Sequence, residues 1–501
     1  MTHIGQLLRT HVDTRPGDLA IVDPANKADH LDGPVKRLTW AQLDAEISRT
    51  AGVLHAHGIG PGDVAAVQLP NSVELAVTFL AILRLGAVVT PFPVQYRAYE
   101  LGLLLPLSGA KLLVSGRESR APAGTPVLTW PGDLGTATAA PAPPYRADPG
   151  DRVTICWTSG TEATPKGVPR CHHDWLAVEE LCTAAPALTR DDVILNPFPM
   201  VNMAGIGGVF LPWLRSGAVL VQHHPFDLPT YLGQIAAENV TYTLAPPALL
   251  TLLLHKEVPI PPSLTRIGSG SAPLPPSMVR GWQERHGIAI INFFGSNEGI
   301  TLLSDPEHMP DPEIRARYFP RPGAPGAPAL LDRVRTKLVA HGGEEITEPG
   351  VPGELRISGP TVFAGYLPGT AAADPFDEDG YLRTGDLFEL AGEHGQYLRY
   401  VDRAKDLVIR GGMNIAPAEL EALLAGHPSV AEVAVAGYPD EVLGEKVCAV
   451  VVPKGAITLE SVVAFLRDKG IASYKLPERL EVVEALPRNP VGKILKRELK
   501  L

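Results

Sequence analysis

Over the first 250 residues, stretches with helical spacing of apolar positions alternate with short apolar runs. Thr39-Trp40-Ala41-Gln42 has the form of a capping box, and the helix it opens continues to about His57. Gly58 and Gly62 bracket a break, after which 64–69 reads as a short apolar strand. Asn71-Ser72-Val73-Glu74 has the form of a second capping box, opening a helix that Gly86 stops, and 87–90 reads as another strand. Strand, helix and strand at this spacing make a βαβ unit, so the pattern predicts parallel sheet covered by helices. Apolar runs at 153–157 and 218–221, the latter followed by the apolar segment 228–237, continue it.

Past residue 400 the texture changes. Helices are predicted at 417–424 and 459–469, strands at 429–436, 446–452 and 480–483, and a short basic helix at 494–499. Together they form a compact α+β unit of about a hundred residues. The predicted division is a large α/β domain over 1–401, of stacked and mostly parallel sheets with helices. A charged connection at 402–406 and a small α+β domain over 407–501 follow. Residues 121–150, rich in Ala, Pro and Gly, read as a long surface connection.

Composition narrows the classes. The 501 residues are 45% hydrophobic and 20% charged, which excludes a disordered chain. The 49 glycines and 50 prolines show no collagen period, so they belong to the loops of a globular protein with many turns. A net charge of −11 disfavours non-specific binding to nucleic acid or anionic membrane. Cys156, Cys171, Cys182 and Cys448 are scattered, supporting neither a zinc site nor a disulfide framework. The most apolar segment, 75–83, ends at Arg84 and is far short of the ~20 residues of a membrane span. No signal-peptide pattern opens the sequence, so a soluble cytoplasmic protein, monomer or homodimer, is expected.

The candidate chemistry begins directly after the run 153–157. Thr158-Ser159-Gly160-Thr161-Glu162-Ala163-Thr164-Pro165-Lys166-Gly167 offers hydroxyls, backbone N–H groups and one cation to a polyanion. It is not a Walker loop, because Pro165 precedes the lysine and Gly167 follows it. By itself it reads equally as a polar turn. Further blocks follow in order: Gly270-Ser271-Ala272-Pro273-Leu274, Phe294-Gly295-Ser296-Asn297-Glu298, Gly353-Glu354-Leu355 with Gly365-Tyr366, and Tyr381-Leu382-Arg383-Thr384-Gly385-Asp386. The last are Asp402-Arg403-Ala404-Lys405-Asp406, Gly411-Gly412-Met413-Asn414 and Pro487-Arg488-Asn489-Pro490-Val491-Gly492-Lys493.

This ordered set, spanning roughly 39–498, resembles the adenylate-forming enzymes: acyl-CoA synthetases, stand-alone adenylation domains and firefly-type luciferases. The resemblance implies ATP-dependent conversion of a carboxylic acid to acyl-AMP, followed by transfer to a pantetheine thiol. ATP, Mg²⁺ and coenzyme A, or the phosphopantetheine of a carrier protein, are the implied cofactors. Joining two anions needs cations and oriented dipoles around the phosphoryl oxygens. The implied ATP-binding residues are Thr158, Ser159, Gly160, Thr161, Lys166, Gly270, Ser271, Ala272, Phe294, Gly295, Asn297, Asp386 and Arg403. Glu298 is the implied support for Mg²⁺, with Thr161 beside it. Asp386 suits the ribose hydroxyls, because a carboxylate accepts two hydrogen bonds. Lys493 is the implied catalytic lysine between carboxylate and α-phosphate, and Lys405 takes the hinge position of a mobile C-terminal domain. Glu162, Ala163, Asn297 and Asn202 depart from the usual pattern without removing a residue the chemistry requires.

The same resemblance lines the acid pocket with Asn202, Met203, Gly205, Ala245, Pro246, Gly268, Phe293, Ser296 and Ile300. These are mostly apolar or small, and no aspartate stands where a substrate ammonium would need one. An apolar aliphatic or aromatic acid is therefore expected. Asn202 either bonds a ring substituent or caps a helix. Gly411, Gly412 and Asn414 resemble the thiol loop of CoA ligases and leave room for a pantetheine arm. An acid–CoA ligase is the leading expectation. An acyl-AMP ligase loading a separate acyl carrier protein, and a non-catalytic nucleotide-binding relative, stand beside it.

Overall fold

The computed structural model describes residues 3–116, 121–137, 139–158, 165–299, 301–371, 373–410, 413–440, 442–488, 494–499 and 501, without the side chain of Asn414. The chain divides into two compact units. One comprises 1–270, 281–306 and 359–375, the other 271–280, 307–358 and 376–501.

The first unit is built on two sheets. The predicted βαβ unit is present: Val64–Gln68 pairs in parallel with Val88–Pro91 across the helix Val73–Arg84. Their six-stranded sheet continues through Val88–Pro91 to Arg152–Thr158, which pairs antiparallel with Lys166–Cys171. An eight-stranded sheet carries, side by side and parallel, Val219–Gln222, Val193–Asn196, Tyr242–Leu244, Arg266–Gly270 and Ala289–Gly295. One core runs from Ala65, Val89 and Val114 of the first sheet to Ile194, Tyr242 and Ile291 of the second, filled by Trp40, Phe79, Trp175 and Trp213.

Local chemistry explains the element ends. Thr39 and Gln42 form the expected capping box of the helix Trp40–Ala56. At the next helix the cap differs from expectation. Ser72, not Asn71, caps Val73–Arg84 by accepting from Leu75 N. Asn71 instead donates to the carbonyls of Asn196 and Phe198, and Glu74 is drawn into a buried ion cluster. In that cluster the ammonium of Lys27 lies 2.7 Å from both Asp23 and Glu74, and all three side chains are buried. Desolvation raises the pKa of Asp23, while the cations Lys36 and Lys27 overcome desolvation at Glu74 and lower its pKa. Removing one partner strands buried charge, so Lys27→Ala is expected to lower the unfolding free energy by about 3–5 kcal/mol in a denaturant titration.

Two further expectations are corrected. The region 121–150 contains a strand, Val127–Thr129, that joins the six-stranded sheet, and a short helix, Gly132–Thr136. Trp130 and Leu134 anchor it in the core, and Trp130 donates from its indole to Thr78. The helix predicted at 494–499 is also absent. Ile494 bridges Arg488 instead, and only Lys496–Glu498 forms a 3₁₀ turn. Ile494 and Leu499 pack on Ala434, Cys448 and Val450, which favours an extended approach over a solvated helix.

The second unit holds an antiparallel six-stranded sheet and a five-stranded sheet. In the latter, Val430–Asp440 pairs antiparallel with Gly444–Pro453, and Arg479–Val482 adds in parallel. The helices Pro417–Leu424 and Leu459–Asp468 pack on it, and their core draws only on residues from 408 onward. Among the described residues, no helix is long and apolar enough to cross a membrane.

Candidate active site

In the first unit, the antiparallel strands Arg152–Thr158 and Lys166–Cys171 bring Thr158 and Lys166 opposite each other across the ladder. The Lys166 ammonium sits 5.4 Å from the centre of the Tyr366 ring. The Tyr366 hydroxyl in turn donates to Glu298 Oε1 at 3.0 Å. One tyrosine thus links the lysine expected to meet the phosphates to the carboxylate expected to support the metal. With Oε1 engaged by Tyr366, Oε2 of Glu298 remains for a cation. One hard oxygen donor suits Mg²⁺, which takes one or two carboxylates and completes its shell with water and phosphate oxygens. Among the described residues no cluster of three or more His, Cys, Asp and Glu side chains competes for that ion.

The segment carrying Glu298 is held from several sides. Phe363 N donates to the Glu298 carbonyl at 2.9 Å. Gly299 has φ +108°, and a Cβ there would lie 1.9 Å from the Thr361 carbonyl oxygen, so only glycine fits. Arg170 is wholly buried on the strand Lys166–Cys171. Its guanidinium donates to the carbonyls of Asn297 at 3.0 Å, Thr361 at 2.6 Å and Asp174 at 3.2 Å. It also lies over the Trp175 ring. Arg170→Met leaves buried carbonyls unpaired, at about 1–3 kcal/mol each, and frees the segment before Glu298. A raised Mg²⁺ requirement for turnover is expected, partly restored in Arg170→Lys, and a metal titration of the three proteins checks it.

Asn297 joins this site to the predicted acid pocket. Its Oδ1 accepts from Met203 N at 2.8 Å and its Nδ2 donates to the Trp157 carbonyl at 3.5 Å. Asn202 adopts the cap alternative: its Oδ1 accepts from Ala204 N and Gly205 N, starting the turn Met203–Gly205. Ala245 N donates to the Gly268 carbonyl, placing the 245–247 segment beside the strand Arg266–Gly270. Pro246 then precedes the helix Pro247–His255. Phe293 pairs with Gly270 on the adjacent strand, which continues through Phe294 to the exposed Gly295. The Ser296 hydroxyl oxygen is buried and has no hydrogen-bond partner, an orphaned polar atom directly before Asn297.

In the second unit, Asp386 and Arg403 face each other across adjacent antiparallel strands. The guanidinium Nε lies 2.6 Å from the buried Asp386 carboxylate. Asp402 accepts from Arg403 N at 2.7 Å and from Ala418 N at 2.8 Å, tying the strand Tyr397–Arg403 to the start of the helix Pro417–Leu424. Burial raises the pKa of Asp402. Lys405 is exposed in the 3₁₀ turn Ala404–Asp406. Ser271 takes the left-handed conformation at φ +71°, and Ala272 follows it. Ser159, Gly160, Thr161, Ile300, Gly411, Gly412 and Lys493 lie outside the described residues, as do Glu162 and Ala163.

Two residues were not predicted. The sequence alone gives Tyr366, in the Gly365-Tyr366 pair, no role, and no motif in it marks Arg170 as part of the site. The sequence signal for Arg170 is a lone arginine within a short strand beside the phosphate loop.

Residues 8–367 match the family model described as AMP-binding enzyme, and residues 419–493 match the AMP-binding enzyme C-terminal domain. The chain belongs to the AMP-binding enzyme family. This AMP-binding enzyme is 31% identical to the long-chain-fatty-acid–CoA ligase FadD13 of Mycobacterium tuberculosis, over 100% of this chain and 98% of that one. It is 33% identical to the salicyl-AMP ligase / salicyl-S-ArCP synthetase of the same organism, over 97% and 88% of the two chains. Among solved structures it superposes on o-succinylbenzoate coenzyme A synthetase (MenE) from Bacillus subtilis in complex with ATP and magnesium ion. That match has a TM-score of 0.83 at 26% identity and covers 98% of each chain. The mixed α/β architecture, a large N-terminal part followed by a small α+β part, is therefore that of the adenylate-forming enzymes.

Proposed function

We propose that this AMP-binding enzyme activates an apolar carboxylic acid with ATP and transfers the acyl group to coenzyme A. The observation that carries the reading is the chain Lys166–Tyr366–Glu298, which puts a phosphate-binding cation and a metal-supporting carboxylate on one tyrosine. Asn297 couples that chain to the acid segment at Met203.

In the first step an acid carboxylate oxygen bonds to the α-phosphorus of ATP, and the α–β bridging bond breaks to release pyrophosphate. Lys166, with Thr158 to Thr161, neutralises the phosphates, and Glu298 holds the metal side. Mg²⁺, when bound, spreads the charge that accumulates on the phosphoryl oxygens. Lys493 bridges the carboxylate and the α-phosphate, a task suited to a compact cation on a flexible stem. Gly270, Ser271 and Ala272 take the adenine side, and Asp386, oriented by Arg403, takes the ribose. In the second step a thiol sulfur bonds to the acyl carbon, the thiol proton passes to solvent, and AMP leaves. Residues 1–401 bind ATP and acid, 402–406 with Lys405 form the hinge, and 407–501 move to present Lys493 or the thiol loop Gly411–Gly412 with Asn414. Use of ATP and CoA supports a cytoplasmic site for the reaction.

The test is pyrophosphate release across a panel of acids, with CoA and an acyl carrier protein as alternative acceptors. Acid-dependent release and acyl-CoA are expected. ATP hydrolysis indifferent to acid would overturn the proposal. A thioester formed only on the carrier would favour the second reading, a carrier-loading ligase, which the likeness to a salicyl-S-ArCP synthetase keeps in view.

A further inference from the structure

Glycines along an acid site ordinarily leave space for a ligand. Beside Gly268 protein side chains occupy that space. On the strand Arg266–Gly270, a Cβ on Gly268 would lie 2.2 Å from Leu244 Cδ2, 2.6 Å from the Tyr242 hydroxyl oxygen and 2.7 Å from Phe293 Cε2. The register explains the convergence. Leu244 is paired with Gly268 and Phe293 with Gly270, so all four positions share one face of the parallel sheet. The 206–210 turn lies against the same core, and Leu244 Cδ1 reaches to 3.5 Å from where a Cβ on Gly208 would sit. Leu244 thus spans from that turn to Gly268, and the half-buried Phe293 leans over it from the neighbouring strand.

Beneath them Tyr242 is fully buried, and its hydroxyl has no hydrogen-bond partner. An alkyl chain pushed inward would have to displace Phe293 and Leu244. A ring or short chain ending at Phe293 leaves that packing undisturbed.

We infer that Phe293, backed by Leu244 over Gly268, sets the depth of the acid site and confines it to compact apolar acids. Single-ring aromatic or short aliphatic acids fit, and long-chain fatty acids do not. The inference rests on the acid-activating reading and deepens it. Overall identity does not decide the matter, since the 31% relative is a long-chain-fatty-acid ligase.

The test compares kcat/KM for pyrophosphate release with benzoate, hexanoate, dodecanoate and hexadecanoate in the wild type and in Phe293→Ala. The wild type is expected to favour the better of benzoate and hexanoate over dodecanoate by about 100-fold, the upper range for a hydrophobic pocket. Phe293→Ala is expected to shrink that ratio at least tenfold, chiefly by lowering KM for dodecanoate. A thermal midpoint for the variant shows that it is folded, and Phe293→Leu provides a milder truncation that should shift the ratio in the same direction. Equal use of dodecanoate and hexanoate by the wild type overturns the inference. So does an unchanged ratio in both folded variants. Pyrophosphate release that no acid stimulates in any of the proteins defeats the acid-activating reading itself, a result distinct from broad chain-length tolerance.

Discussion

Lys493→Ala is expected to reduce adenylate formation by at least about 10²–10³-fold, the range for removing one preorganised group that stabilises transition-state charge. The first half-reaction brings an acid carboxylate against an α-phosphate, and a cation between them lowers the barrier only if it is delivered there. The described flanks of the 489–493 segment are pinned. Arg488 and Ile494 form an isolated bridge, Leu495 N donates to the Pro487 carbonyl at 2.8 Å, and the Arg488 guanidinium lies 2.8 Å from Glu432. Thioester formation from supplied acyl-AMP and CoA does not need this cation, so it should survive. Separate assays of the two half-reactions check the claim. Equal loss of both would make Lys493 a structural residue, and loss of neither would remove it from the mechanism.

The second large effect is at Glu298. Glu298→Gln keeps the size and a hydrogen-bond acceptor for Tyr366 but removes the negative charge proposed to hold the cation. Turnover at saturating ATP is expected to fall about 10²-fold, with a much higher Mg²⁺ concentration at half-maximal rate. Tyr366→Phe separates positioning from ligation. It removes the 3.0 Å hydrogen bond to Glu298 but keeps the ring beside Lys166, so a smaller rise in the metal requirement is expected. A metal titration of rate compares the two. A wild-type metal dependence in Glu298→Gln would place the cation elsewhere.

Features set by local chemistry were legible in the sequence. The helix Pro417–Leu424 and the helix opened by Thr39 lie where periodicity and caps put them. So does the parallel pairing of Val64–Gln68 with Val88–Pro91. What escaped was set by distant partners. Asn71 has the chemistry of a cap, but carbonyls more than a hundred residues away claim it, and Ser72 caps instead. Residues 494–499 have a helical composition, yet two apolar side chains find a better partner in the small sheet. In the site, motif order pointed to Glu298, Lys166 and Asp386. It could not report that Asn297 spends its amide on Met203 and Trp157, or that Arg170 braces the segment through backbone carbonyls. Those contacts join strands far apart in sequence, and nothing in residue type alone identifies the acceptor.

The central claim is that the acid is activated as an adenylate before any thiol takes part. The direct measurement is exchange of labelled pyrophosphate into ATP, with and without acid, in the absence of CoA and carrier protein. The account predicts exchange that requires both Mg²⁺ and a compact apolar acid and proceeds without thiol. Exchange that needs no acid, or acid-dependent turnover that never returns label to ATP, would contradict it.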